Sequence, residues 1–145
     1  MKIGIGNDHH GVQLKQEIMS YLNQLGYDVI NFGTNSTENV DYTKYAFQVG
    51  EAIKKHQIDY GILICGSGIG MSIACNKVHT VRCAKVNTVE EVKMTRRDNN
   101  ANVIAFGENT TVDLALKMVE TFLNTPFLET DRYIRRVKEI DNYDN

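Results

Sequence analysis

Gly61-Ile62-Leu63-Ile64-Cys65-Gly66-Ser67-Gly68-Ile69-Gly70-Met71-Ser72 is the stretch whose reading decides the fold. Apolar residues lead into it, and the apolar run Met71 to Ala74 continues it. That pattern predicts a buried strand, a glycine-rich turn and the start of a helix. Gly66, Gly68 and Gly70 alternate, so no side chains cover the backbone amides between them. Such amides at a helix start can hold an anion or a developing oxyanion. Cys65 stands at the strand end, where the same positive potential favours a thiolate. A base or nucleophile and an oxyanion cradle therefore share one turn. Two blander readings compete. A glycine turn can be only a tight crossover, and a lone buried cysteine is commonly inert packing.

Working outward, short apolar runs alternate with longer amphipathic ones. Residues 2–6 predict a first strand, ending at Gly6-Asn7-Asp8-His9-His10. Leu14, Ile18, Tyr21, Leu22 and Leu25 follow a helical period, stopped by Gly26 in the position of a C-cap. Asp28 to Phe32 predicts a second strand, and the polar run Thr34 to Val40 a loop. Asp41 is placed to cap a helix with Tyr45, Val49, Ala52 and Ile53 inward. After the central strand come a helix to about Asn76, a strand over Val81–Lys85, a helix from Thr88 to about Asn99 and a strand over Asn102–Phe106. Thr110 to Asn124 is amphipathic and ends before Pro126, the sole proline. A last helix, Asp131 to Ile140, should turn Tyr133, Val137 and Ile140 inward.

Five strand–helix units predict an α/β fold: one domain over residues 1–145, a Rossmann-like, doubly wound, five-stranded parallel sheet. Ligands bind such sheets outside the C-terminal strand ends. Asp8 and His9, Cys65 to Gly70, and Glu108 with Asn109 all fall there. The formal net charge of -2 argues against nucleic acid or a membrane surface as partner. No apolar run approaches the ~20 residues that span a bilayer. Met1 to Gly6 reads as a strand, not a signal peptide, so a reducing, cytoplasmic setting is expected. The three cysteines, at 65, 75 and 83, form no CxxC pair, and no zinc site or other metal is expected. Cys75 and Cys83 read as packing.

Other motifs carry less. Gly4-x-Gly6 lacks the third glycine of a dinucleotide fingerprint, and no Lys-Ser or Lys-Thr follows Gly70 to make a P-loop. Adjacent histidines on an extended chain point apart, so His9 and His10 should not share a metal ion. His56 and His79 read as solvated. Arg132 and Arg136 are spaced i,i+4 and could grip one phosphate, or be a solvated stripe, as could Arg96-Arg97.

These stretches, with Gly33-Thr34, Asp41-Tyr42, Ala74-Cys75-Asn76-Lys77, Val81-Arg82 and Asn99 through Gly107, resemble the type B ribose-5-phosphate isomerases and the related galactose-6-phosphate isomerase subunits. The match runs along nearly the whole chain. The resemblance implies aldose–ketose isomerisation through an enediolate, without metal or other cofactor, in the pentose phosphate pathway. It makes Cys65 the proton-abstracting base. The amides of Gly66, Ser67, Gly68, Ile69 and Gly70 would hold the enediolate oxygens. Asp8, His9, Tyr42 and Asn99 would contact the sugar, and Arg132 and Arg136 the phosphate. It implies a homodimer or homotetramer, with the C-terminal helix reaching a neighbouring subunit and completing its site. Three departures stand out. Asp98 replaces the family's ring-opening histidine and could act as an acid only with a raised pKa or a relaying water. Thr130-Asp131-Arg132-Tyr133 stands where Gly-Gly-Arg-His is frequent. Asn109 replaces a frequent arginine. The expected reaction is ribose 5-phosphate to ribulose 5-phosphate. The alternatives are a hexose 6-phosphate isomerase acting on allose or galactose 6-phosphate, and a catalytically weak sugar-phosphate binding module.

Overall fold

A computed structural model describes residues 1–143. The elements follow in order as β1 (Lys2–Asn7), a single 3-10 turn (His9–Gly11), α1 (Val12–Gln24), β2 (Asp28–Asn31), α2 (Tyr42–Lys54), β3 (Tyr60–Cys65), α3 (Ile69–Cys75), β4 (Cys83–Lys85), α4 (Val89–Asn99), β5 (Val103–Gly107), α5 (Val112–Asn124) and α6 (Asp131–Asn142). All strand pairs are parallel, in the order β2-β1-β3-β5-β4. This is the doubly wound sheet the alternation predicts. From β1 the chain winds first to β2 on one side, then to β3 on the other, so β1 and β3 flank the switch point.

Alternation along β3 builds two cores. Ile62 and Ile64 face a cluster with Ile3, Ile5, Ile18, Leu22, Met118 and Phe122, under α1 and α5. Leu63 and Cys65 face Val49, Ile53, Met71, Cys75 and Ala105, under α2 and α3. On β1 that second face is glycine. A Cβ on Gly6 would stand 2.9 Å from both Leu63 and Val49, so the bare backbone is what lets α2 close on the strand.

Local signals behave as their chemistry requires. Gly26 takes φ +86, and Tyr27 N–H returns to Leu22 O, closing α1. Thr88 and Thr111 accept from the amides of Glu91 and Leu114 and cap α4 and α5. Asp41 precedes α2 as expected, but its side chain makes no cap hydrogen bond. The fourth strand is shorter than predicted, Cys83–Lys85, because Arg82 is drawn into contacts with Asn102, Asn99 and Asn100.

The last helix departs from its predicted facing. Val137 is buried, Tyr133 is half-buried, and Ile140 is 53% exposed. α6 packs chiefly on α4 and is tied by Asp141 to Arg82 at 2.6 Å, and Ile140 is left uncovered. Leu25, which shares the helical period of α1, is exposed just past the end of that helix. Arg96 is not a solvated cation. Its guanidinium is buried, donates to Ala101 O at 2.7 Å and to Thr125 O, and lies over the rings of Tyr60 and Phe122. Burial lowers its pKa, yet its donors are saturated, and it locks α4 to the start of β5 and the end of α5.

Candidate active site

The glycine turn after β3 is built as one hydrogen-bonded unit. Gly68 adopts φ +81, and a Cβ there would meet the Phe106 backbone at 2.7 Å. Only glycine fits that conformation and that approach. The turn directs the Gly68 N–H at Cys65 Sγ, 3.1 Å away. The Ile69 N–H donates to Ser67 Oγ, also at 3.1 Å. In this state two of the turn's amides therefore face the cysteine and serine side chains. Cys65 itself is 5% exposed, at the β1/β3 switch point.

The end of β1 supplies the facing wall. Asp8 is buried, and its Oδ1 accepts from the His10 N–H at 2.9 Å, capping the 3-10 turn. That turn overturns the expectation that His9 and His10 point apart. Their ring centroids lie 4.2 Å apart, because a tight turn, unlike a strand, does not alternate side chains. Asp8, His9 and His10 bring possible ligand atoms within 4.8 Å of one another. Each has a protein partner. His9 Nδ1 accepts from Val40 N–H at 3.2 Å, tethering the loop before α2, and His10 Nδ1 meets Glu108 Oε2 at 2.8 Å. Tyr42, first residue of α2, completes the wall. Its ring fills the space a Gly70 side chain would need, 2.6 Å from that Cβ position.

Asp8, His9, Tyr42, Cys65, Gly66, Ser67, Gly68, Ile69 and Gly70 are thus brought together. Asn109 lies on the β5 side of the same turn, in a cavity of about 320 Å³ that it lines with Gly66, Ser67, Lys85, Gly107 and Thr110.

Asp98, Asn99, Arg132 and Arg136 form a separate group, lining a cavity of about 390 Å³ between α4 and α6 with Tyr133 and Val137. They sit where α4 ends and β5 begins. Gly61 pairs with Val103 there, while Cys65 pairs with Gly107 at the other end. Four residues of strand, about 13 Å at ~3.3 Å per residue, separate the two ends. One chain does not join these groups. Arg132 lies over the Tyr133 ring at 4.9 Å. Among the described residues neither Arg132 nor Arg136 has an acidic partner within salt-bridge distance, whereas Arg135 pairs with Glu139 at 3.5 Å. Asp98 departs from the reading of an acid with a raised pKa. The Arg97 guanidinium, bonded at 2.7 Å, pulls it below the usual carboxylate range, with Tyr133 and Arg132 adding to the effect. It is an anion at neutral pH.

Cys75 and Cys83 keep the packing role. Burial pushes the Cys75 thiol up to about 12, and burial, then the nearby Cys75, raises Cys83 as well. The sequence reading missed Asn7 and Lys15. Asn7 is buried and donates to Asp8 O and Thr34 O, and Lys15 Nζ reaches Thr34 O and Asn35 Oδ1. Both hold the loop that carries the chain to Tyr42. Lys15 lies one residue from Leu14 on an apolar helix face, and no local signal marks where its amine goes.

Comparison with known proteins gives the family and the same fold. Residues 3–140 match the Ribose/Galactose Isomerase family. Ribose-5-phosphate isomerase B of Escherichia coli is 40% identical over 140 residues, spanning 96% of this chain and 93% of that protein. A Bacillus subtilis protein named as a sugar phosphate isomerase, with no sugar stated, is 38% identical over 99% of this chain and 97% of its own length. The structure of Clostridium thermocellum ribose-5-phosphate isomerase B superposes with a TM-score of 0.94 at 46% identity, covering 97% of this chain and 95% of that one. That of the Mycoplasma genitalium enzyme with bound ribulose-5-phosphate superposes with a TM-score of 0.93 at 36% identity, covering 98% and 95%. The chain belongs to the ribose/galactose isomerase family, and it is an isomerase.

Proposed function

We propose that this protein interconverts ribose 5-phosphate and ribulose 5-phosphate through an enediolate, with Cys65 as the base. The observation that carries the reading is the Gly68 N–H donated to Cys65 Sγ within a turn of glycine amides. The thiolate removes the proton alpha to the carbonyl and returns it to the adjacent carbon. Amides of the Gly66–Gly70 turn hold the enediolate oxygen, each such donor contributing about 3 kcal/mol to the transition state. Asp8, His9 and Tyr42 orient the sugar hydroxyls.

The phosphate goes to Arg132 and Arg136. Since these lie at the far end of the sheet from Cys65 in the same chain, the working site is formed by two copies, one giving the base and the other Asn99 and the arginines. The apolar residues left uncovered on α3 and α6, Ile69, Ile73 and Ile140, fit an oligomer of that kind. The implied setting is the cytoplasm, and no described helix is long and apolar enough to cross a membrane.

A second reading, isomerisation of allose or galactose 6-phosphate, is favoured by one feature. Asp98 and Asn109 alter the ring-opening and phosphate positions while leaving the base intact. The test is turnover of purified protein on ribose, allose and galactose phosphates. A kcat/KM for ribose 5-phosphate at least about tenfold above the hexoses supports the first reading. The reverse order replaces it with the second.

A further inference from the structure

Ring opening of a cyclic aldose phosphate needs a proton donor, and Asp98 is not one. The Arg97 guanidinium, and beyond it Tyr133 and Arg132, hold it as the anion. A different pair stands at the β1/β3 switch point. His10 Nδ1 meets Glu108 Oε2 at 2.8 Å, with the two side chains 45% and 44% exposed. The backbone aims this pair. Asp8 Oδ1 fixes the His10 N–H, and Gly107 places Glu108 directly after the last residue of β5. With Nδ1 turned to Glu108, the other edge of the ring faces the glycine turn. His10 Cδ2 and Nε2 lie 3.6 and 3.9 Å from the position a Gly66 side chain would start from. Gly66 opens that turn, so the second ring nitrogen overhangs the glycine turn on a side chain that is 45% exposed.

We propose that His10, held by Glu108, is the proton donor that opens the sugar ring in this enzyme. The proposal rests on the isomerase reading above. In a ribofuranose the ring oxygen O4 is two bonds from C2, the carbon that loses its proton to Cys65. In a sugar held on the Gly66–Gly70 turn, O4 stays within two bonds of the reacting carbon, and His10 overhangs that turn at Gly66. The step balances as follows. The C1–O4 bond breaks and its electron pair goes to O4, which takes the proton from His10 Nε2. The C1 hydroxyl gives its proton to water as C1=O forms, and the exposed imidazole regains a proton from solvent. Glu108 orients the ring through its contact with Nδ1. The titratable groups against His10 are Asp8 and His9 from its own turn and Glu108 from the end of β5.

The experiment compares two substrates. Ribose 5-phosphate must be opened, whereas 4-deoxyribose 5-phosphate lacks the oxygen that closes the ring. In His10→Gln the ratio of kcat/KM for the 4-deoxy sugar to that for ribose 5-phosphate should rise about tenfold or more, the scale of a lost general acid. Glu108→Gln is the second variant. It should move the same ratio in the same direction, because the ring loses the carboxylate that aims it. An equal loss on both sugars in His10→Gln would give the residue a binding or structural role and overturn the proposal, as would no loss on either. An unmoved ratio in Glu108→Gln would overturn the dyad. If the wild type turned over neither sugar, the isomerase reading would fail and this proposal with it.

Discussion

The Gly68 N–H points at Cys65 Sγ across 3.1 Å, so the turn whose amides are proposed to meet the substrate also holds the sulfur. One backbone conformation, Gly68 at φ +81, sets both. Cys65→Ala should therefore remove at least about 10³ of kcat while leaving substrate affinity within about tenfold, because a base acts in the transition state. Titration calorimetry with ribose 5-phosphate, beside steady-state kinetics, measures both. Near-normal turnover would remove Cys65 from the mechanism.

Gly68→Ala and Gly70→Ala should behave differently. At Gly68 a Cβ meets rigid Phe106 backbone at a positive φ, costing roughly 2–3 kcal/mol. That is about 5–10 °C in Tm for a domain of this size. At Gly70 the obstacle is the Tyr42 ring, a side chain that can swing aside. Gly70→Ala should keep its Tm within about 3 °C and lose activity, since Tyr42 is pushed off the site. Equal Tm losses would show that Tyr42 is as fixed as the backbone.

The proposed sharing of sites between two copies makes a quantitative prediction. Cys65→Ala and Arg136→Ala should each be nearly inactive as pure dimers. Unfolded together and refolded as a mixture, half the dimers are mixed, and each mixed dimer holds one site with both native halves. The mixture should recover about a quarter of wild-type activity. No recovery, with mixed dimers confirmed by native mass spectrometry, would place both groups in sites that one chain must complete.

Lys15 gives a pH prediction. Desolvation lowers its pKa, so the folded state binds fewer protons than the unfolded one as Lys15 titrates. Stability from this group is least at low pH and rises as pH climbs through the folded pKa toward the unfolded value. Lys15→Met removes that burden. Thr34 O keeps the Asn7 amide and Asn35 Oδ1 keeps Asn31 Nδ2, so no acceptor is orphaned. At pH 7 the variant should unfold within about 1 kcal/mol of wild type or above it. The wild type should gain on it as pH rises toward 10. Denaturant titrations at pH 7 and 9.5 test this, and a gap constant with pH would mean that Lys15 is not titrating.

Residue types set most of this fold directly. Alternating strand and helix periods, Gly26, the capping threonines at 88 and 111, and Pro126 each act through their own neighbours, and neighbours are what a linear reading sees. The glycine turn with Cys65 was legible for the same reason: its chemistry is backbone chemistry over six consecutive residues. Contacts that close over long separations were decided only by the tertiary structure. The His10 ring was misread because its direction depends on a 3-10 turn capped by Asp8. Its partner Glu108 arrives from a strand 98 positions away. Arg96 and Arg97 are adjacent and look alike, yet one is buried against Tyr60 and Phe122 and the other pairs with Asp98 at the surface. The ionisation of Asp98 follows from that surface pairing. Local conformational preference belongs to the residue and survives in the sequence. Burial, charge pairing and the separation of Cys65 from Arg132 and Arg136 belong to the packed sheet, and exist only once the chain has folded around it.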